Sequence, residues 1–150
     1  MVSQDYEDLF KTLNTHKIKY LVIGAHAVVF YTEPRFTKDM DIWVPVELND
    51  PEKIHQALRA FGAPLRGILP ADFTNKDIIF QIGVAPVRID ILLHLEGIEA
   101  ARAWKNRKKS YYGKTPINII GFSELIKVKK KAGRSIDKID LKKLFREQKK

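Results

Sequence analysis

The chain has 150 residues, of which 45% are hydrophobic and 30% are charged, and it contains no cysteine. These values predict one globular domain spanning the whole chain. The absence of cysteine excludes a disulfide scaffold and a thiolate zinc site. A membrane-spanning protein is also excluded, because no apolar run approaches the ~18 residues that a membrane helix requires. The acidic start, MVSQDYEDLF, lacks the basic patch and the apolar run of a secretory signal, so we expect a cytoplasmic protein.

Charge is distributed unevenly along the chain. The first 100 residues hold 10 Lys and Arg against 14 Asp and Glu, a net charge of −4, whereas the last 50 hold 17 against 4, a net charge of +13. Such asymmetry is typical of proteins that meet phosphates. The alternative, that a run such as 127–131 only solvates a helix face, stays open.

The first half of the chain alternates between helical and strand patterns. Gly24 ends the first strand pattern, Pro34 ends the helix that follows, and Pro51 opens the next one. The predicted elements are a helix over 4–16, a strand over 20–23, a helix over 25–31, a strand over 38–44 and a helix from 51 to about 61.

The second half begins with a stretch rich in Gly and Pro, FGAPLRGILPADFTN, which predicts an irregular and functional loop. Two apolar runs then predict a hairpin of antiparallel strands that joins the first two strands in one sheet. Ser123 is the expected cap of a later helix. The predicted elements are strands over 78–84 and 87–93, a helix over 97–107, a strand pair within 110–120 around Gly113, and helices over 123–132 and 135–147.

The segment FTKDMDIWV places two aspartates in a strand pattern. Side chains alternate across a strand, so Asp39 and Asp41 point the same way, with their Cα atoms about 6.6 Å apart. The two carboxylates repel each other, and each needs a raised pKa, a basic partner or a bound cation. A divalent cation meets this need most simply, while an ordinary ion-pair network with Arg35, Lys38 or Arg88 is the alternative.

A third aspartate, Asp90, lies within the apolar run VRIDILL, where strand hydrophobicity does not require it. Carboxylate oxygens of this kind suit Mg²⁺ or Mn²⁺. Three aspartates on adjacent strands would hold two such ions ~3.5 to 4 Å apart, the spacing that activates an attacking oxygen and neutralises a leaving one.

Gly24 falls where a strand stops and a helix starts. The free N–H groups of Ala25 and the residues after it can therefore face a bound phosphate, although a Gly-Ala step alone is more often a packing turn. Neither GxxxxGK[ST] nor GxGxxG is present, which argues against P-loop and dinucleotide-binding proteins.

Taken together, these residues resemble the DNA polymerase beta-like nucleotidyltransferase superfamily, whose signature is a glycine step, then DxD or DxE, and a third carboxylate. The resemblance covers about residues 18–145. It is carried by VIGAHAVVFYTEPRFTKDMDIWV, FQIGVAPVRIDILLHLEGI and LIKVKKKAGRSIDKIDLKKL, which look like blocks of small prokaryotic nucleotidyltransferases, some of them related to abortive-infection toxin-type transferases.

The resemblance implies an α/β fold with a mixed, mostly antiparallel sheet of about four to six strands, flanking helices and a helical C-terminal segment over 123–147. It also implies two Mg²⁺ or Mn²⁺ ions and transfer of a nucleoside monophosphate from an NTP to an acceptor hydroxyl, with release of pyrophosphate. By this likeness Asp39 and Asp41 bind both metals and the triphosphate. Asp90 holds the metal that activates the acceptor and takes its proton.

The chain departs from the superfamily at Ala25, where Gly or Ser is usual and the serine contacts a terminal phosphate. Thr37 or Lys38 would substitute, or triphosphate binding would be weaker. A catalytically inactive nucleotide- or RNA-binding module of the same fold is therefore the alternative function.

Four further residues are expected to bind nucleotide, and each has a structural alternative. Arg35 would meet a phosphate or pair with a nearby acid, and His26 would touch phosphate or serve a structural role. Lys129 and Arg134 match the family's closing helical block and would line the nucleotide cleft or lock the last helices onto the sheet. The acceptor is expected to be RNA, a protein or a small molecule, and a second copy or a partner subunit would complete the cleft.

Overall fold

A computed structural model of the chain describes residues 3–33, 37, 39–83 and 87–149. The described residues form six α-helices, six β-strands and one 3₁₀ helix. In chain order these are α1 (Gln4–Thr15), β1 (Leu21–Ile23), α2 (Gly24–Tyr31), β2 (Asp39–Trp43), α3 (Pro51–Phe61), the 3₁₀ helix (Pro70–Thr74), β3 (Ile79–Ile82), β4 (Arg88–Leu92), α4 (Ala100–Lys105), β5 (Lys108–Tyr112), β6 (Thr115–Ile119), α5 (Phe122–Ala132) and α6 (Ser135–Gln148).

The described strands form one mixed sheet in the order β3-β4-β2-β1-β6-β5. β1 pairs antiparallel with β2, and the hairpins β3–β4 and β5–β6 are also antiparallel. The pairs β1–β6 and β2–β4 are parallel. This arrangement confirms the prediction of a mixed, mostly antiparallel sheet with flanking helices and a helical C-terminal segment.

The helices fall into two groups around this sheet. α1 packs against α3 and β6, and its apolar stripe of Tyr6, Leu9, Phe10 and Leu13 is buried. α2 packs against β1 and β2 and also touches α5 and α6, which pack on each other. The C-terminal helices therefore lie beside the helix that follows the glycine turn. No helix in the described part of the chain is both long and apolar enough to cross a membrane.

Local sequence signals place most helix ends where they were expected. The Asp50 side chain accepts a hydrogen bond from the backbone N–H of Glu52, Pro51 occupies the first turn of α3, and Gly62 ends α3 in the left-handed conformation with φ of 97°. These three residues set the two ends of α3, because each is of a type favoured at that helix terminus.

Three expectations about local structure were wrong. Residues 70–74 of the expected irregular loop form the 3₁₀ helix, because Phe73 is buried against α3. α4 is shorter than 97–107, since Gly97 adopts a left-handed φ of 78° that ends helical geometry there. Ser123 does not cap α5: the helix begins one residue earlier and Gly121 is its N-cap.

Candidate functional site

Gly24 and Asp41 pack closely against each other in the site. Ile23, the last residue of β1, is in register with Asp41 on β2, and Gly24 follows it with a φ of 69°. A Cβ atom at position 24 would overlap Asp41 Oδ2 and lie 3.0 Å from Asp41 Cγ. Glycine is required here both for its backbone conformation and for this contact, and the Asp41 carboxylate consequently lies at the start of α2.

The three aspartates lie on adjacent parallel strands. Asp41 on β2 is in register with Asp90 on β4, so the two share one face of the sheet at the spacing of neighbouring strands, roughly 4.8 Å. Asp39 lies two residues before Asp41 on that face, and its register partner is Arg88. The opposite face of β2 carries the buried Met40 and Ile42.

The Asp41 carboxyl is destabilised in its charged form. Burial, together with the charges of Asp90 and Asp39, raises the pKa of Asp41 to about 6, although Lys129 and Arg88 act in the opposite direction. In the described part of the chain no hydrogen bond or ion pair reaches the carboxylate of Asp41 or Asp39. A group with this environment favours a bound cation or a proton.

Asp90, by contrast, already has a cationic partner. Arg88 Nε donates to Asp90 Oδ1 and a terminal guanidinium nitrogen donates to Oδ2, both at 3.0 Å. The ion-pair network considered from sequence therefore exists at Asp90 and not at Asp39 or Asp41 among the described residues. Arg35, an expected partner and phosphate ligand, lies outside them, as does Lys38.

A cavity of about 240 Å³ opens in front of these carboxylates. The strands contribute acidic side chains, the α5–α6 region contributes basic ones, and most of the remaining lining side chains form an apolar wall. The acidic side has Asp41 and Asp90 beside Gly24, and the basic side has Lys129 and Arg134 next to Asp137. The remaining lining residues are Ile23, Ile79, Leu92, Leu95, Val128 and Ala132.

The basic side of the cavity is built by a buried ion cluster. Lys129 Nζ lies 3.2 Å from Asp137 Oδ1 and 3.0 Å from Asp140 Oδ2, and these three residues are buried. Arg134 also forms an ion pair with Asp137, with Arg134 Nε 2.6 Å from Asp137 Oδ2, although 69% of the Arg134 side chain is exposed. Burial alone would raise the pKa of Asp137, but hydrogen bonds from Arg134 and Lys129 outweigh burial and lower it. The cluster joins α5 to α6, and three of its members, Lys129, Arg134 and Asp137, line the cavity.

His26 and Thr37 lie together on the Asp39 side of the site. Their side chains form a hydrogen bond, with His26 Nε2 2.9 Å from Thr37 Oγ1, and the His26 ring packs edge-on against Tyr6. Burial lowers the pKa of His26 while Asp39 opposes that effect. Ala25 is half-buried in the first turn of α2.

The donor set fits a hard divalent cation in its chemistry. Asp39 and Asp41 offer oxygen atoms without a hydrogen-bond partner in the described residues, and the elevated pKa of Asp41 marks a place where positive charge stabilises the fold. Across the described ranges, no group of three or more His, Cys, Asp or Glu side chains forms a ready-made metal cluster. Asp90, the third expected ligand, uses both oxygens on Arg88.

Sequence reasoning missed two parts of the site. Arg88 was considered only as a partner of Asp39 or Asp41, although the Arg-x-Asp spacing places its side chain on the same strand face as Asp90. The apolar wall was also missed, because Ile79, Leu92 and Leu95 read as ordinary strand residues. The structure, and not the sequence, distinguishes Ile79, which is 58% exposed on the edge strand β3.

Neither a family sequence model nor a curated protein sequence matches this chain. Solved structures do resemble it. The lincosamide antibiotic adenylyltransferase LnuA, solved with lincomycin bound, is similar with a TM-score of 0.60 at 15% identity, over 95% of this chain and 96% of that chain. The antibiotic-resistance factor ANT(2'')-Ia gives a TM-score of 0.63 at 11% identity, over 93% and 80% of the two chains.

TM1012 of Thermotoga maritima, a candidate nucleotidyltransferase, gives a TM-score of 0.58 at 16% identity, over 98% and 96% of the two chains. The relationship to toxin-type transferases is not tested by these likenesses and stays a prediction. The six-stranded mixed sheet of the described residues, the glycine turn beside Asp41 and these three structures together show that the chain has the nucleotidyltransferase fold.

Proposed function

We propose that this chain transfers a nucleoside monophosphate from an NTP to an acceptor hydroxyl. The acceptor oxygen attacks the α-phosphorus, the bond between that phosphorus and the bridging oxygen to the β-phosphorus breaks, and pyrophosphate leaves. The hydroxyl proton passes to a carboxylate at the site, for which Asp90 is the proposed acceptor. Atoms and charge balance without a redox partner.

The observation that carries this proposal is the register of Asp41 and Asp90 beside Gly24. Two carboxylates on neighbouring strands repel each other, and the chain brings one of them against a position where only glycine fits. Such an arrangement has a cost in stability, so it favours a functional role over a packing role. The nucleotidyltransferase fold of the chain supports the same reaction class.

Asp39, Asp41 and Asp90 are the residues that would hold Mg²⁺ or Mn²⁺. The chemistry supplied by two bound ions is neutralisation of the triphosphate and a lowered pKa of the acceptor hydroxyl. The residues themselves define the site by fixing carboxylate oxygens on one face of adjacent strands. Asp41 would keep its charge at neutral pH more readily with a cation bound, because its pKa of about 6 in the ligand-free protein is elevated.

The proposed triphosphate position lies between Gly24 and the basic side of the cavity. The N–H groups at the start of α2, from Gly24 and Ala25, would donate to phosphate oxygens. Lys129 and Arg134 line the same cavity and would neutralise phosphate charge. We also propose nucleotide contacts for His26, Arg35, Thr37 and Lys38, the residues expected around the catalytic strand.

The acceptor is proposed to enter along the apolar wall of the cavity. LnuA, one of the similar structures, is an adenylyltransferase with the antibiotic lincomycin bound, so ATP and a small hydroxyl compound are reasonable first substrates to test. An RNA end or a protein hydroxyl remains an alternative acceptor, and a second copy of the chain or a partner subunit would extend the cleft.

The direct test is a transfer assay with each α-³²P-labelled NTP, Mg²⁺ or Mn²⁺, and three acceptor pools: total cellular RNA, lysate protein, and small hydroxyl compounds including lincomycin. We expect one pool to become labelled, Asp41→Asn to abolish labelling, and Glu52→Gln on α3 to retain it. Glu52 is a matched control because it is exposed and does not line the cavity. Nucleotide binding that persists in Asp41→Asn, with no labelled product from wild type, would favour the inactive binding module.

A further inference from the structure

The side chain of Arg88 is bound to the carboxylate of Asp90, which the proposed reaction needs. Its guanidinium fork donates to both oxygens of Asp90, each at 3.0 Å. Asp90 is only 13% exposed in its side chain, whereas Arg88 is 37% exposed. The partner that can move is therefore the arginine, which reaches the carboxylate from the rim of the site.

Arg88 pairs with Asp90 rather than with the residue beside it in the sheet. The register places Arg88 next to Asp39, and both are near Asp41. Among the described residues, the Asp39 and Asp41 carboxylates receive no hydrogen bond, so Arg88 is committed to one of the three carboxylates, Asp90. Arg88 pairs with Asp90, the aspartate in register with Asp41. Its positive charge therefore reduces the repulsion between Asp90 and Asp41 in the ligand-free protein.

A divalent cation would compete with the Arg88 guanidinium for the two oxygens of Asp90, since both already accept from Arg88. Binding a metal there would bring two positive groups to one carboxylate, and like charges at this range repel in a partly buried site. Displaced from Asp90, the planar fork of Arg88 would suit a phosphate as well as it suits a carboxylate. The freed side chain remains beside the cavity, on the strand that carries Asp90.

We propose that Arg88 exchanges partners when metal and triphosphate bind. It pairs with Asp90 before they bind, and it moves to the triphosphate when the metal takes its place on Asp90. This inference rests on the proposed function, because it assumes that metal and a triphosphate enter this cavity. It assigns Arg88 two roles, an internal counter-ion that opposes binding of metal alone and a phosphate-binding residue in the loaded site.

The test measures metal and triphosphate binding separately. Mn²⁺ alone is titrated by electron paramagnetic resonance into wild type, Arg88→Gln and Arg88→Lys, and inorganic tripolyphosphate is then titrated by calorimetry with Mn²⁺ at saturation. We expect Arg88→Gln to bind Mn²⁺ about tenfold more tightly and tripolyphosphate about tenfold more weakly, the factor that one charge-assisted contact supplies. Arg88→Lys keeps the charge but lacks the planar fork. Its affinities for Mn²⁺ and for tripolyphosphate should therefore lie between those of wild type and Arg88→Gln.

Lys53→Gln is the matched control for the loss of one positive charge, since Lys53 is exposed on α3 and does not line the cavity. Wild type that binds Mn²⁺, with Arg88→Gln binding it equally or more weakly, overturns the partner exchange and leaves the proposed function intact. Unchanged tripolyphosphate binding in Arg88→Gln also overturns the exchange. Absence of Mn²⁺ binding in every protein, Arg88→Gln included, overturns the metal-dependent function itself.

Discussion

Gly24, at the turn from β1 into α2, lies against Asp41 on β2, so closely that the α-carbon of Gly24 has no room for a methyl group. The contact fixes the carboxylate at the start of α2, where the helix N–H groups lie. The backbone φ of 69° at Gly24 adds a second reason for glycine at this position.

Gly24→Ala is expected to destabilise the protein by more than backbone strain alone. The left-handed φ costs about 1 to 2 kcal/mol for alanine, and displacement of the Asp41 carboxylate adds to that cost. Gly67→Ala is the matched control, because Gly67 has a φ of 78° and nothing within 4 Å of an added Cβ. Urea unfolding measures both variants. Equal losses in the two would show that the Asp41 contact contributes nothing.

Asp41 should make stability depend on pH between about 4 and 6. Because burial and neighbouring carboxylates raise its folded-state pKa from 3.8 to about 6, the stabilising effect of the protonated form is fully present below pH 4 and is lost as the pH rises through 6. Asp41→Asn removes this dependence. The free energy of unfolding of the variant relative to wild type should therefore increase by up to about 3 kcal/mol from pH 4 to pH 7. Parallel stability curves for the two proteins would contradict this environment for Asp41.

Lys129→Met is expected to lower the free energy of unfolding by about 3 to 5 kcal/mol, since buried Asp140 loses the Lys129 ion pair and buried Asp137 keeps only Arg134 as a cationic partner. Lys130→Met is the control. That neighbour is exposed and lies 5.6 Å from the centre of the Phe145 ring, so its loss should cost less than about 1 kcal/mol. Thermal or urea unfolding at pH 7 distinguishes the two, and similar small losses would mean that water compensates the aspartates.

The His26–Thr37 hydrogen bond should couple α2 to the segment before β2. His26→Ala and Thr37→Val each remove one partner, so the double variant is expected to cost about 1 kcal/mol less than the sum of the single variants. A double-mutant cycle on unfolding free energy measures this coupling. Full additivity would show that the two side chains stabilise the fold independently.

Much of the secondary structure was predictable because several helices and strands are bounded by Gly or Pro. Gly24 ends β1, Pro51 opens α3 and Gly113 lies in the turn between β5 and β6. The 3₁₀ helix at 70–74 was not predictable, since Phe73 adopts it through burial against α3, a tertiary contact that sequence periodicity does not contain.

Five of the residues expected in the site from sequence, Gly24, Asp41, Asp90, Lys129 and Arg134, line one cavity, but their pairing was not predictable. Alternation along a strand placed Asp39 and Asp41 on one face, the apolar run around Asp90 singled out the third aspartate, and the resemblance added Lys129 and Arg134. Which carboxylate receives an arginine depends on rotamers and on strand register, which sequence spacing alone does not determine. The cavity wall likewise arises from elements that are far apart along the chain, β3 and α5 among them.

The ion cluster of Lys129 with Asp137 and Asp140 has a consequence for how the protein is assembled. All six described strands, with their acidic residues, precede residue 120, whereas Lys129, Arg134 and Asp137 of the cavity lining come from the two helices that follow and from the turn between them. The sheet contributes Asp41 and Asp90 to the cavity, and the last two helices close it from the other side. Enclosure of the cavity is therefore what the closing helices add to the sheet.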